Sequence, residues 1–350
     1  MKLFGILAPV IAAGGLLQVS ACTPAAPVAP TASIVERTGR AMGSELQLTV
    51  WTADEAAALS AFDLIFKEVD RLDGLMSTWR EESDVLLLNA AAGEHPVKVS
   101  ADVRKVLRTA GQISEWTGGK FDVTFGVLSG LWKFDYQDKD SSVPDINEVR
   151  RRLPLINYRD LEIDEGAGTA FLRRPGMRAS LGGVGKGYAV DRAVEIFRAR
   201  GFHDFLIQFG GDIYAAGQRD GRPWRLGIRD PRGAAASTFA TLELSDGTFS
   251  TSGDYERFFM KDGRRYHHII DPGTGEPADG CRSVTIVTGQ AVIADGLSTG
   301  VFILGPEAGM DLIERLPGVE GVIVSEKNEV MVSSGLKGRL MLVAPPTDAP

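Results

Sequence analysis

The sequence predicts an α+β fold in which helices and mixed strands form a single domain with two lobes. Three long segments carry apolar residues at steps of three and four, the spacing of a helix that buries one face. Several short segments have the composition of strands, and they do not alternate regularly with the helices as a parallel sheet requires. This order favours an α+β architecture over a regularly alternating α/β one.

The first 21 residues are predicted to be a lipoprotein signal peptide. Lys2 precedes an uncharged run over residues 3–17, which is too short for an ordinary membrane-spanning helix. The sequence Val-Ser-Ala at residues 19–21, followed by Cys22, is similar to a bacterial lipobox, in which the cysteine is lipidated and begins the mature chain. A plain cleaved signal with an incidental cysteine is the alternative. Lipidation of Cys22 would leave Cys281 without a partner, so no internal disulfide is expected.

The remaining chain divides into a short tether, one folded domain and a tail. Residues 22–33 are rich in alanine and proline and are predicted to hold the domain away from a membrane. No break in composition and no internal repeat interrupts residues 34–343, which are assigned to the domain. Residues 344–350 are assigned to a C-terminal tail.

The domain is predicted to begin with a strand and a long helix. Residues 44–51 alternate as a strand does, and Thr52 with Glu55 has the spacing of a capping box. The apolar residues of this helix are expected to form one buried stripe, namely Leu59, Phe62, Phe66, Val69, Leu72 and Met76.

Two further helices and five further strands follow along the chain. One helix is predicted to start at Ser100 and stop at Gly118, and another to run from about Gly187 to Arg200 with Gly201 as its stop. The further strands are predicted at residues 205–209, 241–245, 283–288, 322–325 and 329–332.

The composition excludes some classes of function. Of the 350 residues, 44% are apolar, which is too many for a disordered chain. Acidic residues outnumber lysines and arginines by 46 to 38, and the net charge of −8 argues against general binding of nucleic acid. Four histidines and two cysteines nearly exclude a metal site made of those residues, so any metal should be a hard ion held by oxygen atoms.

A glycine-rich segment from Ser180 to Gly187 leads directly into the third predicted helix. Glycines let the backbone approach a ligand closely, and N–H groups at a helix start attract anions, so a diphosphate would fit here. The segment is not a Walker A loop, because Lys186 is followed by Gly187 instead of serine or threonine. The alternative is a glycine-rich turn without a ligand.

Two more segments carry side chains suited to phosphate chemistry. If residues 294–299 open a helix, Asp295 and Thr299 project from one face, and their oxygens suit Mg²⁺; otherwise Asp295 is simply the helix cap. His267 and His268 stand side by side before a Pro-Gly turn, and on a strand only one of them can point into a given site. Such a histidine can act as a base or simply form structural hydrogen bonds.

These segments occur together with several others, and in a definite order. The set comprises residues 41–44, 75–79 with Asn89, 119–124 with 131–132, 181–191, 210–212, 223–224, 251–255, 268–275, and 294–295 with Thr299. In content and order they resemble the ApbE family, the FAD:protein FMN transferases, from about residue 37 to residue 335. The predicted fold is accordingly ApbE-like, and the domain is expected to be catalytic.

The resemblance implies a Mg²⁺-dependent enzyme. It would split the diphosphate of FAD, attach FMN through a phosphoester to a threonine or serine of an acceptor protein, and release AMP. Acceptors would be flavoproteins such as subunits of membrane quinone or ferredoxin reductases. The lipobox suits the family's usual position, lipid-anchored on the periplasmic face of the cytoplasmic membrane.

Site residues follow from the same resemblance, position by position. The metal ligands would be the side chains of Asp295 and Thr299 and the backbone carbonyls of Gly185 and Ser298, with His268 as the general base. Residues expected to contact FAD are Met42, Ser77, Lys120, Phe121, Asp122, Ser180, Lys186, His268 and Ile269. Ser180 departs from the family pattern, which often has aspartate there; its hydroxyl could hydrogen-bond the flavin nucleotide but supplies no carboxylate.

Two other functions remain open at this stage. An FAD pyrophosphatase would use water in place of the acceptor hydroxyl, and the sequence does not separate the two because the nucleophile belongs to another molecule. A non-catalytic FAD-binding lipoprotein needs neither a metal nor a base, and the presence of Asp295, Thr299 and His268 counts against it.

Overall fold

The structure is a computed structural model that describes Met1, residues 31–134 and residues 141–349. The chain divides into two units, Met1–Thr31 and Ala32–Pro350, and all the helices and strands below belong to the second. The predicted signal peptide beyond Met1, Cys22 and the tether up to residue 30 lie outside the described residues. None of the described helices is long and apolar enough to cross a membrane.

Helices and strands are interspersed along the described chain, as an α+β fold requires. The α-helices are Glu55–Met76 (α1), Asp84–Ala90 (α2), Ala101–Trp116 (α3), Ile146–Arg152 (α4), Gly185–Ala199 (α5), Ala291–Leu304 (α6) and Pro306–Arg315 (α7). The strands are Ser33–Ala41 (β1), Ser44–Thr52 (β2), Val97–Lys98 (β3), Leu161–Asp164 (β4), Thr169–Leu172 (β5), Phe205–Phe209 (β6), Asp212–Ala216 (β7), Gln218–Arg219 (β8), Arg222–Arg229 (β9), Thr238–Leu244 (β10), Asp246–Gly253 (β11), Phe258–Lys261 (β12), Arg264–His267 (β13), Cys281–Thr288 (β14), Glu320–Ser325 (β15), Val330–Val332 (β16) and Met341–Leu342 (β17).

The centre of the fold is an antiparallel sheet with the order β1-β2-β6-β7-β11-β14-β15-β16. Helices α1, α5 and α6 pack on one face, where the main core includes Phe62, Phe197, Phe205 and Phe302. On the other face a second sheet, ordered β17-β10-β9-β8, encloses a smaller core around Trp224 and Phe239. Strand β14 is therefore buried on both faces, and its residues are buried from Cys281 to Val287 although Arg282, Ser283 and Thr285 are polar.

Two small sheets complete the described fold. Strands β3, β5 and β4 form a three-stranded sheet, and β12 pairs with β13 in a hairpin. The hairpin turns at Asp262 and Gly263, both with positive φ, as a two-residue hairpin turn requires. It ends at His267, so it delivers the two adjacent histidines to the interior of the molecule.

The start of α1 differs from its prediction. The N-cap is Asp54, whose Oδ1 accepts from the Ala57 N–H at 2.9 Å, while Thr52 Oγ1 accepts from the Asp54 N–H at 3.0 Å. Thr52 therefore stabilises the turn before the helix, and its capping box was a wrong prediction. Leu59 and Phe66 are only half-buried, because the buried stripe is completed by Ala58, Ala61 and Ile65.

Other element boundaries lie close to their predictions. Ser100 caps α3 as predicted, with its Oγ accepting from the Val103 N–H at 3.2 Å, and β6 has the predicted bounds. Helix α5 begins two residues earlier than predicted, at Gly185, so Gly185 and Gly187 both belong to its first turn. Helix α6 begins at Ala291, four residues before Asp295, so the alternative in which Asp295 caps this helix is wrong.

Candidate functional site

The first turn of α5 lies directly against α6, and Gly187 makes this approach possible. A Cβ on Gly187 would stand 2.3 Å from the carbonyl oxygen of Ala291 and 2.8 Å from Cβ of Asp295, so only glycine fits. The Gly187 N–H donates to Asp295 Oδ2 at 2.9 Å. The glycine-rich segment and Asp295, 108 residues apart in sequence, therefore share one site.

A second contact between the two helices fixes the start of α6. No side chain of α6 caps its N-terminus; instead the carboxylate of Asp191, from α5, accepts from the N–H groups of Ala291 at 2.8 Å and Val292 at 3.0 Å. These bonds satisfy two of the free N–H groups at the helix start. Burial raises the pKa of Asp191 to about 6.

Lys186 lies between two buried carboxylates at the centre of the site. Its Nζ is 2.5 Å from Asp212 Oδ2 and 3.5 Å from Asp295 Oδ1, and the side chain of Asp295 is 7% exposed. Burial opposes the charged form of Lys186, but the two carboxylates outweigh it and raise its pKa. Burial also raises the pKa of Asp295 to about 6, and the charge of Asp212 acts in the same direction.

Hydroxyl groups gather beside Asp295. Ser252 Oγ, from β11, lies 2.7 Å from Ser298 Oγ and 3.2 Å from Thr299 Oγ1, and Ser298 Oγ donates to the Asp295 carbonyl at 2.8 Å. Carboxylate, hydroxyl and carbonyl oxygens are the donors that Mg²⁺ takes. Two carboxylates around one ammonium also leave a net negative charge, which a divalent cation would offset. The residues present therefore fit a hard divalent cation.

The two adjacent histidines have different surroundings. His267 is buried; its Nδ1 accepts from the Ile269 N–H at 3.3 Å, so its Nε2 carries the proton donated to the Ala278 carbonyl at 2.9 Å. His268 has a buried Nδ1 with no hydrogen-bond partner among the described residues. Burial lowers the pKa of His268 to about 4, and the charges of Arg257 and, more weakly, Lys186 act in the same direction. His268 is thus a neutral imidazole near pH 7 with an uncommitted ring nitrogen, as a base requires.

The segment from Lys120 to Asp122 supports the glycine-rich segment. Lys120 Nζ forms an ion pair with Asp271 Oδ2 at 2.7 Å, three residues after His268. The ring of Phe121 lies 3.3 Å from where a Cβ on Gly183 would stand. Asp122 is turned inward: its carboxylate accepts from Thr124 and from the Tyr158 N–H at 2.8 Å, and burial raises its pKa.

The other residues expected to contact FAD lie in loops around the site. The Ser180 N–H donates to the Val123 carbonyl at 2.8 Å, which joins the two segments. Ser77 is the C-cap of α1, and Met42, with φ of 43°, forms the β1–β2 turn. Ile269 is buried, and its carbonyl accepts from the Ala278 N–H at 2.9 Å. Contacts of these residues with FAD stay predictions.

The structure thus brings together Gly185, Lys186, Asp295, Ser298 and Thr299, and places His268 within electrostatic reach of Lys186. Two participants, Asp212 and Ser252, belong to motifs of the sequence but were not among the predicted site residues. Asp212 follows a Gly-Gly pair and pairs with Lys186, and Ser252 lies in a Thr-Ser-Gly run on β11. For Asp212 the available signal was a carboxylate after two glycines at the start of an otherwise apolar strand, whereas Ser252 lies in a mostly polar strand and gave no such signal.

Known proteins share this fold and much of this sequence. The ApbE family model matches residues 42–323. A FAD:protein FMN transferase from Klebsiella pneumoniae is 33% identical over 84% of this chain and 90% of its own length, and one from Treponema pallidum is 31% identical over 86% and 87%. The crystal structure of the ApbE protein from Thermotoga maritima is similar with a TM-score of 0.80 at 31% identity, covering 88% of this chain and 99% of that one. The flavin transferase ApbE from Vibrio cholerae has a TM-score of 0.78 at 28% identity, with the same coverage. The fold, the family model and the relatives agree, and this chain belongs to the ApbE family.

Proposed function

We propose that this protein is a Mg²⁺-dependent FAD:protein FMN transferase that attaches FMN to a serine or threonine of a flavoprotein acceptor and releases AMP. The observation that carries the proposal is the contact between α5 and α6, which brings the anion-binding start of α5 to within hydrogen-bond distance of Asp295. The names of the relatives support the same reaction for this chain.

Different residues of the site would bind the diphosphate and the cation. Lys186 and the backbone N–H groups of the glycine-rich segment before α5 would bind the diphosphate oxygens. Asp295, Thr299 and the carbonyls of Gly185 and Ser298 would hold the cation, which supplies positive charge against the diphosphate when bound.

The chemical step needs one proton transfer. The oxygen of the acceptor hydroxyl attacks the phosphorus on the FMN side of the diphosphate, and the hydroxyl proton passes to the neutral imidazole of His268. The bond between that phosphorus and the oxygen bridging to the AMP phosphate breaks, and AMP leaves. His268 suits this role because its lowered pKa keeps it unprotonated at neutral pH.

A labelling experiment tests the proposal. The protein is incubated with FAD, Mg²⁺ and a periplasm-facing quinone-reductase subunit, and flavin fluorescence of the subunit is read in a denaturing gel. Asp295→Ala should abolish labelling, whereas Asp311→Ala, at an exposed aspartate of α7, should not. Free FMN without labelling would identify a pyrophosphatase instead. FAD that stays bound and intact with Mg²⁺ would identify a storage protein.

We also propose that lipid on Cys22 holds the protein at the periplasmic face of the cytoplasmic membrane. The lipobox-like sequence before Cys22 and the alanine- and proline-rich residues after it support this. Cells fed radiolabelled palmitate should incorporate label into the wild type and not into Cys22→Ala, and the variant should leave the membrane fraction. Label retained by the variant would contradict the proposal.

A further inference from the structure

The hairpin β12–β13 carries a row of cations on the same face as His268. Its register pairs Phe259 with Tyr266 and Lys261 with Arg264, and the His268 N–H donates to the Arg257 carbonyl at 3.0 Å, which extends the pairing by one step. Cross-strand partners share a face, and alternate residues along a strand return to it. One face of the hairpin, here called the His268 face, therefore holds Arg257, Phe259, Lys261, Arg264, Tyr266 and His268.

Four aromatic rings pack together at the middle of this face and hold the hairpin in place. The rings of Phe259 and Tyr266 are 5.2 Å apart and nearly parallel. Trp132 lies 6.0 Å from Tyr266, and Phe134 lies 6.2 Å from Phe259, so four rings form a closed cluster. The Trp132 indole also donates to the Gly275 carbonyl at 2.9 Å. These contacts fix the hairpin against its surroundings, so the side chains at its ends are presented on a pre-formed surface.

Cations lie at both ends of the face, and two of them have no ion pair with a described residue. Arg257, Lys261 and Arg264 are exposed. Neither Arg257 nor Lys261 has an acidic partner within 4.0 Å in the described part of the chain, whereas Arg264 forms long ion pairs with Glu276 at 3.7 Å and Asp279 at 4.0 Å. Arg257 and Lys261 thus present positive charge beside the candidate base that no carboxylate of the described residues pairs with, in a chain whose net charge is −8.

The reaction requires a second protein at this place. An acceptor must bring its hydroxyl to the imidazole of His268, so the chain on either side of the hydroxyl must pass over neighbouring surface. The His268 face includes that imidazole, and its exposed cations lie at the two ends of a centre that Trp132 and Phe134 cover. Such a surface complements acidic side chains and repels basic ones.

We propose that the His268 face docks the acceptor protein through an acidic segment next to its target serine or threonine. The inference rests on the proposed transferase function and adds the chemistry by which the acceptor is chosen. The phosphates of FAD would bind at α5 and α6, the acceptor chain would lie along the hairpin, and the two substrates would meet at His268.

Charge reversal at the tip of the hairpin tests this docking. In Lys261→Glu/Arg264→Glu, the KM for the quinone-reductase subunit should rise by about tenfold or more, as loss of electrostatic complementarity predicts. Binding of FAD, followed by quenching of its fluorescence, should not change. Lys327→Glu, in the exposed turn between β15 and β16, is the matched control and should keep the wild-type KM.

The outcomes separate the hypotheses. An unchanged KM in the double variant, or an equal rise in Lys327→Glu, would overturn the docking proposal while leaving the transferase intact. A wild type that labels no acceptor refutes the proposed function itself, and the docking proposal with it. If the double variant keeps its KM but no longer sediments with phosphatidylglycerol vesicles that bind the wild type, the face contacts the membrane and the proposal is wrong.

Discussion

Replacing Gly187 by alanine should push α5 and α6 apart and disable the site. The new Cβ would lie 2.3 Å from the Ala291 carbonyl oxygen, 2.7 Å from its carbon and 2.8 Å from Cβ of Asp295. Two of these three neighbours are backbone atoms, so no side-chain rotation relieves the contact. The helices must separate by roughly 1 Å, which is the scale of overpacking that costs about 1–3 kcal/mol.

The same substitution elsewhere should have the opposite effect. Gly74 in α1 and Gly111 in α3 are helical glycines with nothing within 4 Å of the added Cβ. Alanine there should stabilise the protein by about 0.5–1 kcal/mol through helix propensity alone. The propensity gain is common to all three sites, so the difference between Gly187→Ala and Gly74→Ala isolates the helix contact. That difference should equal the overpacking cost of about 1–3 kcal/mol.

Urea unfolding, monitored by circular dichroism, gives the free energy of unfolding of each variant. The rate of FAD cleavage shows whether the site is still functional. Gly187→Ala should unfold at lower urea and lose most of its activity, because the Gly187 N–H no longer reaches Asp295. Gly74→Ala and Gly111→Ala should be slightly more stable and fully active. A Gly187→Ala protein as stable as Gly74→Ala and fully active would refute the claim that this contact builds the site.

Three further predictions concern the charged groups of the site. Asp295→Ala should reduce FAD cleavage more than His268→Ala, which should lower the rate by about 10²–10⁴-fold, as initial rates at saturating FAD would show. Asp191→Ala should lower the free energy of unfolding in urea by about 1–3 kcal/mol, because two buried N–H groups at the start of α6 lose their acceptor. Between pH 6.5 and about 4, His268 is protonated in the unfolded chain but stays neutral in the folded protein. Stability should therefore fall as pH drops through that window, and urea titrations should show a smaller fall in His268→Gln.

Local features of the fold were accessible from the sequence because each depends on a few neighbouring residues. Ser100 sits directly before the apolar periodicity of α3, and β6 is a short apolar run between turn residues, so their bounds were predicted correctly. At α1, two residues competent to cap the helix stand close together, and the sequence alone does not rank Thr52 against Asp54. The structure decides in favour of Asp54, one residue before the helix.

The arrangement of the site depends on pairings that local patterns do not contain. The sequence alone identified Lys186 and Asp295 as candidate site residues. The resemblance to the ApbE family then predicted that both act at one site. Asp212 entered no site prediction, because its role exists only once β7 lies beside β11 and the start of α5 in the sheet. Lys186 pairs with both carboxylates, so an alanine at Asp212 would leave Asp295 as its sole partner and remove one negative charge from the cation site. Asp212 would therefore act on the proposed cation through Lys186, a link that becomes visible only from the order of the strands.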